Sequence, residues 1–250
     1  MSAAALTPPN ITIFSDGAAI ARAVAEKFVA LAQDAIAARC RFSVALAGGS
    51  TPKATYELLA TDEFKDRVDW SHVHIFFGDE RCVPPDHADS NYRMANEALL
   101  SCVPLPPENI FRMKGEGDAA THAQEYEAKL RDFFSEEAGP RFDLVMLGMG
   151  DDGHTASLFP GTTALREQDA WCVANWVEKF NTYRITLSAP ALNYAAHIIF
   201  SVTGANKATR LVEIMHGPYQ PEVLPSQLIK PTYGQLDWYL DKAAAAEIKG

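Results

Sequence analysis

Asp152 and His154 stand two residues apart in the stretch FDLVMLGMGDDGHTASLFPG, residues 142–161, and they are the clearest means this chain has of moving a proton. Imidazole titrates near neutrality, so it can take a proton from a nucleophile and return it to a leaving group. A carboxylate two positions away is placed to orient the ring or to hold a bound hydroxyl. Asp151 is expected to face solvent. The competing reading of the same residues is a Gly/Asp turn that merely contains a polar histidine. The apolar run 142–147 has the length and composition of a buried strand, which would put the histidine on a loop at its end. Loops leaving the carboxyl ends of such strands are where open α/β sheets bind ligands.

Three further segments could bind an anion. In VALAGGSTPKATYELL, Gly48 and Gly49 allow close backbone approach, and Ser50 and Thr51 offer hydroxyl and N–H groups ahead of a helix N-terminus. Neither a Walker A sequence nor GxGxxG is present. The plainer reading is that Ser50 or Thr51 only caps the helix. In VHIFFGDERCVPP, Asp79, Glu80 and Arg81 follow another apolar run. The guanidinium fork suits phosphate, and Asp79 is near enough in sequence to hold Arg81 in place. A solvated charge cluster is the alternative. Arg184 and Lys207 could complete a cationic pocket, or be ordinary surface residues. Other candidates fail: His72 and His74 share one expected strand face without a third ligand, no GxSxG elbow exists, and Cys82 reads as a buried structural thiol.

The elements that must position these groups alternate between strand and helix. Strands are expected at 11–14, 42–47, 73–77, 142–147, 171–177, 183–187 and 197–203. Helices are expected at 16–38, 52–59, 90–100, 118–137, 207–215 and 235–242. In 16–38 the residues Ile20, Val24, Phe28, Leu31 and Ile36 recur at roughly helical spacing, and Pro52 suits a first helical turn. This alternation predicts an α/β fold with a mostly parallel sheet covered on both faces.

With 250 residues, no linker and no repeat, one domain spanning 1–250 is expected. A formal charge of −10 argues against nucleic acid or an anionic membrane as partner. The opening MSAAALTPPN lacks a signal-peptide pattern, and no apolar run reaches a membrane span. The four cysteines have no CxxC spacing, so neither zinc nor a disulfide framework is expected. A reduced, cytoplasmic protein, monomeric or a small homo-oligomer, fits these features.

Five blocks occur in one order: GGSTP from Gly48, GDERCVP from Gly78, GMGDDGHTASLFPG from Gly148, RITLSAPALN from Arg184 and GANK from Gly204, followed by the tail PTYGQLDWYLDKAAA. In these the chain resembles the 6-phosphogluconolactonases, over about residues 11–246. The resemblance implies a doubly wound sheet flanked by helices with a smaller subsidiary sheet region, as in glucosamine-6-phosphate deaminases and ribose-5-phosphate isomerases. It implies hydrolysis of 6-phospho-D-glucono-1,5-lactone, the second step of the oxidative pentose phosphate pathway, with no metal or organic cofactor. His154 would then be the general base and Asp152 its partner. Gly48, Gly49, Ser50, Thr51, Arg81, Arg184 and Lys207, with Asp79 nearby, would share the phosphate and the oxyanion. Asp151, Ser188 and Pro225-Ser226 stand where the family commonly has Glu, Thr and Pro-Ala. The related deaminases commonly end the His loop on Asn-Glu-Pro-Gly, whereas this chain has Ser157-Leu158-Phe159-Pro160-Gly161. A non-catalytic sugar-phosphate sensor of the same fold would carry a DNA-binding domain, and only about ten residues precede the first expected strand.

Overall fold

A computed structural model of the chain describes residues 8–135 and 138–248. The first strand, β1 (Asn10–Phe14), leads into α1 (Gly17–Arg39). The Asp16 carboxylate accepts from Ala19 N at 2.9 Å and so caps this helix. Cys40 ends it in the left-handed region, its N–H donating to Ile36 O. Ile20, Val24 and Phe28 are fully buried, while Leu31 and Ile36 are half-buried. Next come β2 (Phe42–Leu46), α2 (Ser50–Leu59), β3 (Val73–Phe77) and the short β4 (Asp79–Arg81). They are followed by α3 (Asn91–Ala95), which runs on into a π-helical turn (Asn96–Leu100), and by α4 (Ala119–Phe133). α4 stops at Phe133 with Phe134 as its C-cap, short of the expected end at residue 137, which itself lies outside the described residues. Then follow β5 (Leu144–Leu147), β6 (Cys172–Val177), β7 (Thr182–Leu187), α5 (Ala189–Asn193), β8 (His197–Val202), α6 (Ala208–His216) and β9 (Gln235–Asp241).

Six strands form a wholly parallel sheet in the order β1-β9-β8-β5-β2-β3. Three form a small antiparallel sheet in the order β4-β7-β6. The doubly wound sheet with its subsidiary sheet is the architecture the sequence implies. From β2 the chain steps to β3 on one side, whereas β5, β8 and β9 lie on the other. That reversal leaves a crevice at the carboxyl ends of β2 and β5, the usual ligand position in such sheets.

Two expectations fail. Residues 235–242 do not form a helix: β9 is a strand inserted between β1 and β8. Leu236, Trp238 and Leu240 are its buried apolar face at a spacing of two, and the Trp238 ring stacks on Phe200 at 3.9 Å. Asp79–Arg81 is not a charged break but a strand of the small sheet, paired residue by residue with β7.

One aromatic cluster anchors the β3 side. The fully buried Phe76 ring lies 4.5 Å from Phe111, 5.0 Å from Phe133 and 5.3 Å from Phe142. Phe76→Ala is therefore expected to cost about 3–5 kcal/mol. In urea unfolding this should lower the midpoint without changing the slope. A loss below about 1 kcal/mol would mean that the cluster closes over the cavity.

Candidate active site

The site is built from loops that leave β2, β3, β5 and β8 at the same edge of the large sheet. After β5 the chain turns sharply from Gly148 to Thr155. Gly150 N donates to His154 O at 2.8 Å, and Gly153 takes φ +81°, where glycine carries no steric penalty. The turn is fastened from outside, because Ser226 donates to Gly153 O from both its N–H and its hydroxyl. Inside it, His154 Nδ1 lies 2.5 Å from Asp152 Oδ1, and His154 N donates to the same oxygen at 3.2 Å. The carboxylate thus favours a proton on Nδ1 and leaves Nε2 as the acceptor. The ring stacks on Phe159 at 4.1 Å. Burial alone would raise the Asp152 carboxyl, but hydrogen bonds from His154 and Lys179 outweigh it and hold it below the usual carboxylate range. Asp151 is exposed, as expected.

Gly150 is a steric requirement. A Cβ there would sit 2.0 Å from His154 Nδ1 and 2.8 Å from Asp152 Oδ1. Gly150→Ala should therefore push the imidazole off its partner. Turnover is expected to fall up to about a hundredfold, the scale of a 1 Å misplacement. Steady-state kinetics beside a circular-dichroism melt would check this, and full activity would mean the ring tolerates the shift.

The residues after His154 bind the small sheet. Ser157 Oγ donates to Asp79 Oδ2 at 2.6 Å, and Ser157 N donates to Thr186 Oγ1 on β7. Asp79 is therefore buried and engaged with Ser157 and Asn91, and it does not hold Arg81. Arg81 instead donates to Asp89 O at 2.7 Å. Glu80, 2% exposed, accepts from Ser90 Oγ and from the N–H groups of Arg81, Asn91 and Tyr92. Burial raises its carboxyl, opposed by those N–H donors. It anchors the start of α3.

Arg81 and Arg184 are direct cross-strand partners on β4 and β7. Arg184 is half-buried, its guanidinium 5.2 Å from the Phe180 centroid, and it has no ion-pair partner among the described residues. Burial, and then the Arg81 charge, lower its affinity for its proton, with Asp79 opposing. An anion beside it would relieve both costs.

The loop after β2 lies across the crevice. Gly49 is the N-cap of α2 at φ +102°, and no side chain caps that end. Ser50 and Thr51 thus belong to the first turn and do not cap it, leaving their N–H groups for an anion. Thr51 Oγ1 meets Thr203 Oγ1 at 3.0 Å, which brings this loop to the one that carries Lys207 after β8. Lys207 is half-buried without an ion-pair partner among the described residues.

Asn91, Lys179 and Phe159 were missed in the sequence. Asn91 is buried between Gly48 and Asp79: it donates to Asp79 O at 2.9 Å, and a Cβ on Gly48 would fall 1.9 Å from its Oδ1. Lys179 Nζ reaches Asp152 Oδ2 at 3.0 Å. The HxH pair separates, since His72 sits in a turn against Asp69 while His74 is half-buried in β3. Cys82 is half-buried, and burial pushes its thiol up, away from nucleophilic use.

The family model described as glucosamine-6-phosphate isomerases/6-phosphogluconolactonase matches residues 15–238. The chain belongs to this family. Among members of the glucosamine-6-phosphate isomerase/6-phosphogluconolactonase family, a 6-phosphogluconolactonase of Nostoc is 43% identical over 217 residues, covering 86% of this chain and 88% of that protein. The Synechocystis 6-phosphogluconolactonase is also 43% identical, with the same coverage. The solved 6-phosphogluconolactonase of Trypanosoma cruzi superposes with a TM-score of 0.86 at 28% identity, covering 98% of this chain and 99% of that one. A monomeric glucosamine-6-phosphate deaminase shares the fold at a TM-score of 0.80 with 18% identity. No helix among the described residues is long and apolar enough to cross a membrane.

Proposed function

We propose that this chain hydrolyses 6-phospho-D-glucono-1,5-lactone to 6-phosphogluconate, within the oxidative pentose phosphate pathway. The observation that carries the reading is the Asp152–His154 pair on a loop tied to the strands that bear Arg81 and an Arg184 without an ion-pair partner among the described residues. The named activity of the similar Nostoc and Synechocystis proteins supports the substrate. Four free cysteines are in keeping with a reducing, cytoplasmic setting.

A sugar lactone is an activated ester. His154 Nε2 takes a proton from water as its oxygen bonds to C1, and the carbonyl oxygen gains the negative charge. The C1–ring oxygen bond then breaks as the carbonyl reforms. His154 returns its proton to the departing ring oxygen, which becomes the hydroxyl of the open acid. Ionisation of the new carboxyl releases one proton to solvent. Asp152 keeps the Nδ1 proton in place throughout and so keeps Nε2 facing the reaction. The uncapped start of α2, with Arg81, Arg184 and Lys207, supplies positive charge for the phosphate and for the oxyanion. Asp79 serves by fixing Ser157 and Asn91 around them.

The test is acid release from freshly generated lactone at constant neutral pH, beside an enzyme-free control for spontaneous opening. Acceleration that saturates with substrate is expected. A rate equal to the control, with purified folded protein, would sink the substrate assignment.

A further inference from the structure

The hairpin between β6 and β7 touches Asp152 directly and reaches His154 through the Phe159 ring. Its tip, Glu178–Phe180, closes through Asn181, which adopts φ +47° and donates to Glu178 O at 3.0 Å. The Trp176 indole N–H donates to Glu178 Oε2 at 2.8 Å and steadies the tip. From this platform Lys179 Nζ meets Asp152 Oδ2 at 3.0 Å, while Asp152 Oδ1 is the atom on His154 Nδ1. The Phe180 ring packs edge-on against Phe159 at 5.6 Å, and Phe159 is the ring stacked on the imidazole.

We propose that Lys179 is a positioning residue: its ammonium shares the Asp152 carboxylate with His154, and its charge sets how readily the imidazole is held as the free base. The inference rests on the reading of His154 as general base. The physics is that of a bridged anion. Asp152 alone would favour the imidazolium, because opposite charges attract. With Lys179 on the other oxygen, the carboxylate's charge is partly neutralised and the ammonium adds its own repulsion. Both effects favour the neutral ring that catalysis needs. Exposed ion pairs contribute little to stability, so the consequence of this one falls on the ring and not on folding. The other charges around the pair are Asp151 on the same loop, Glu178 on the tip, Arg184 on β7, and Arg210 on α6 with its partner Glu213. Arg210 donates to Asp151 O and pairs with Glu213. Among the described residues, none of them bonds to the Asp152 carboxylate.

The experiment compares the parent with Lys179→Met and Lys179→Arg in two measurements. The first is the NMR titration of the His154 ring; the second is the pH profile of kcat/KM on the lactone. Lys179→Met should move the ring's titration midpoint up by about half a pH unit. The acid limb of kcat/KM should follow, an approximately threefold loss on that limb, with the alkaline plateau kept within about twofold. Lys179→Arg should restore both curves. If Lys179→Met lowers the melting temperature but moves neither curve, Lys179 only braces the hairpin and the proposal is overturned. If the ring titration moves and the acid limb does not, Lys179 does not act on catalysis through His154, and the proposal is likewise overturned. A parent without lactonase activity would sink the proposed function, and the NMR titration would still decide the coupling.

Discussion

His154→Ala is expected to lower kcat by about 10²–10⁴-fold, the range that general acid–base catalysis contributes. The imidazole is used twice in the proposed reaction, first to accept the proton of water and then to protonate the ring oxygen. Its loss therefore slows both addition and collapse. The backbone of the turn does not depend on the ring, because Gly150 N pairs with His154 O and Ser226 fastens Gly153. What is lost structurally is the stacking contact on Phe159 and the Nδ1 bond to Asp152, whose carboxylate keeps the His154 N–H and Lys179 as partners, so the melting temperature should stay within about 4 °C of the parent. KM should change little if the phosphate is held by the cations. Stopped assays at neutral pH, corrected for spontaneous opening, would measure this. A folded His154→Ala protein with the parent's kcat would remove His154 from the mechanism.

Arg184→Met is expected to reduce kcat/KM by about 10²–10³-fold, the scale of removing one preorganised oxyanion donor or phosphate contact. The substitution keeps an apolar stem against Phe180 and deletes the fork. Its effect on stability should have the opposite sign to its effect on activity. In the free protein the guanidinium is half-buried, lacks an ion-pair partner among the described residues and lies across from Arg81. Removing it relieves burial cost and like-charge repulsion, so the melting temperature should hold or rise. Such a pairing of lost activity with gained stability marks a group kept for function. Parallel losses of activity and stability would instead make Arg184 a structural residue.

The large sheet was legible because its strands are near-continuous apolar runs, and 73–77 matches β3 at both ends. The last strand was not. In β9 the apolar positions Leu236, Trp238 and Leu240 are interleaved with Asp237 and Asp241, and the strand's place depends on partners far away in the chain. β4 was hidden for a similar reason: three charged residues make a strand only because β7 lies beside them. In the site, His154 with Asp152 was readable from type and spacing. The GDER segment was readable as a charged cluster after a strand, but its contacts were not, since Glu80 anchors the start of α3, Asp79 binds Ser157 and Asn91, and Arg81 turns to Asp89 O. Lys179 could not be found by spacing, because 27 positions separate it from Asp152 and only the hairpin closes that gap.

The place of β9 between β1 and β8 has a consequence for synthesis on the ribosome. Among the described residues β1 has a single neighbour in the large sheet, and the residues that meet at that junction, Asn10 and Asp237, are 227 positions apart. The first strand made must therefore wait for the last, roughly 10–50 s at ordinary translation rates. During that interval β8 also exposes an open edge, the kind of surface that recruits chaperones or neighbouring nascent chains. A chain stalled before residue 235 would lack the strand that joins its two ends.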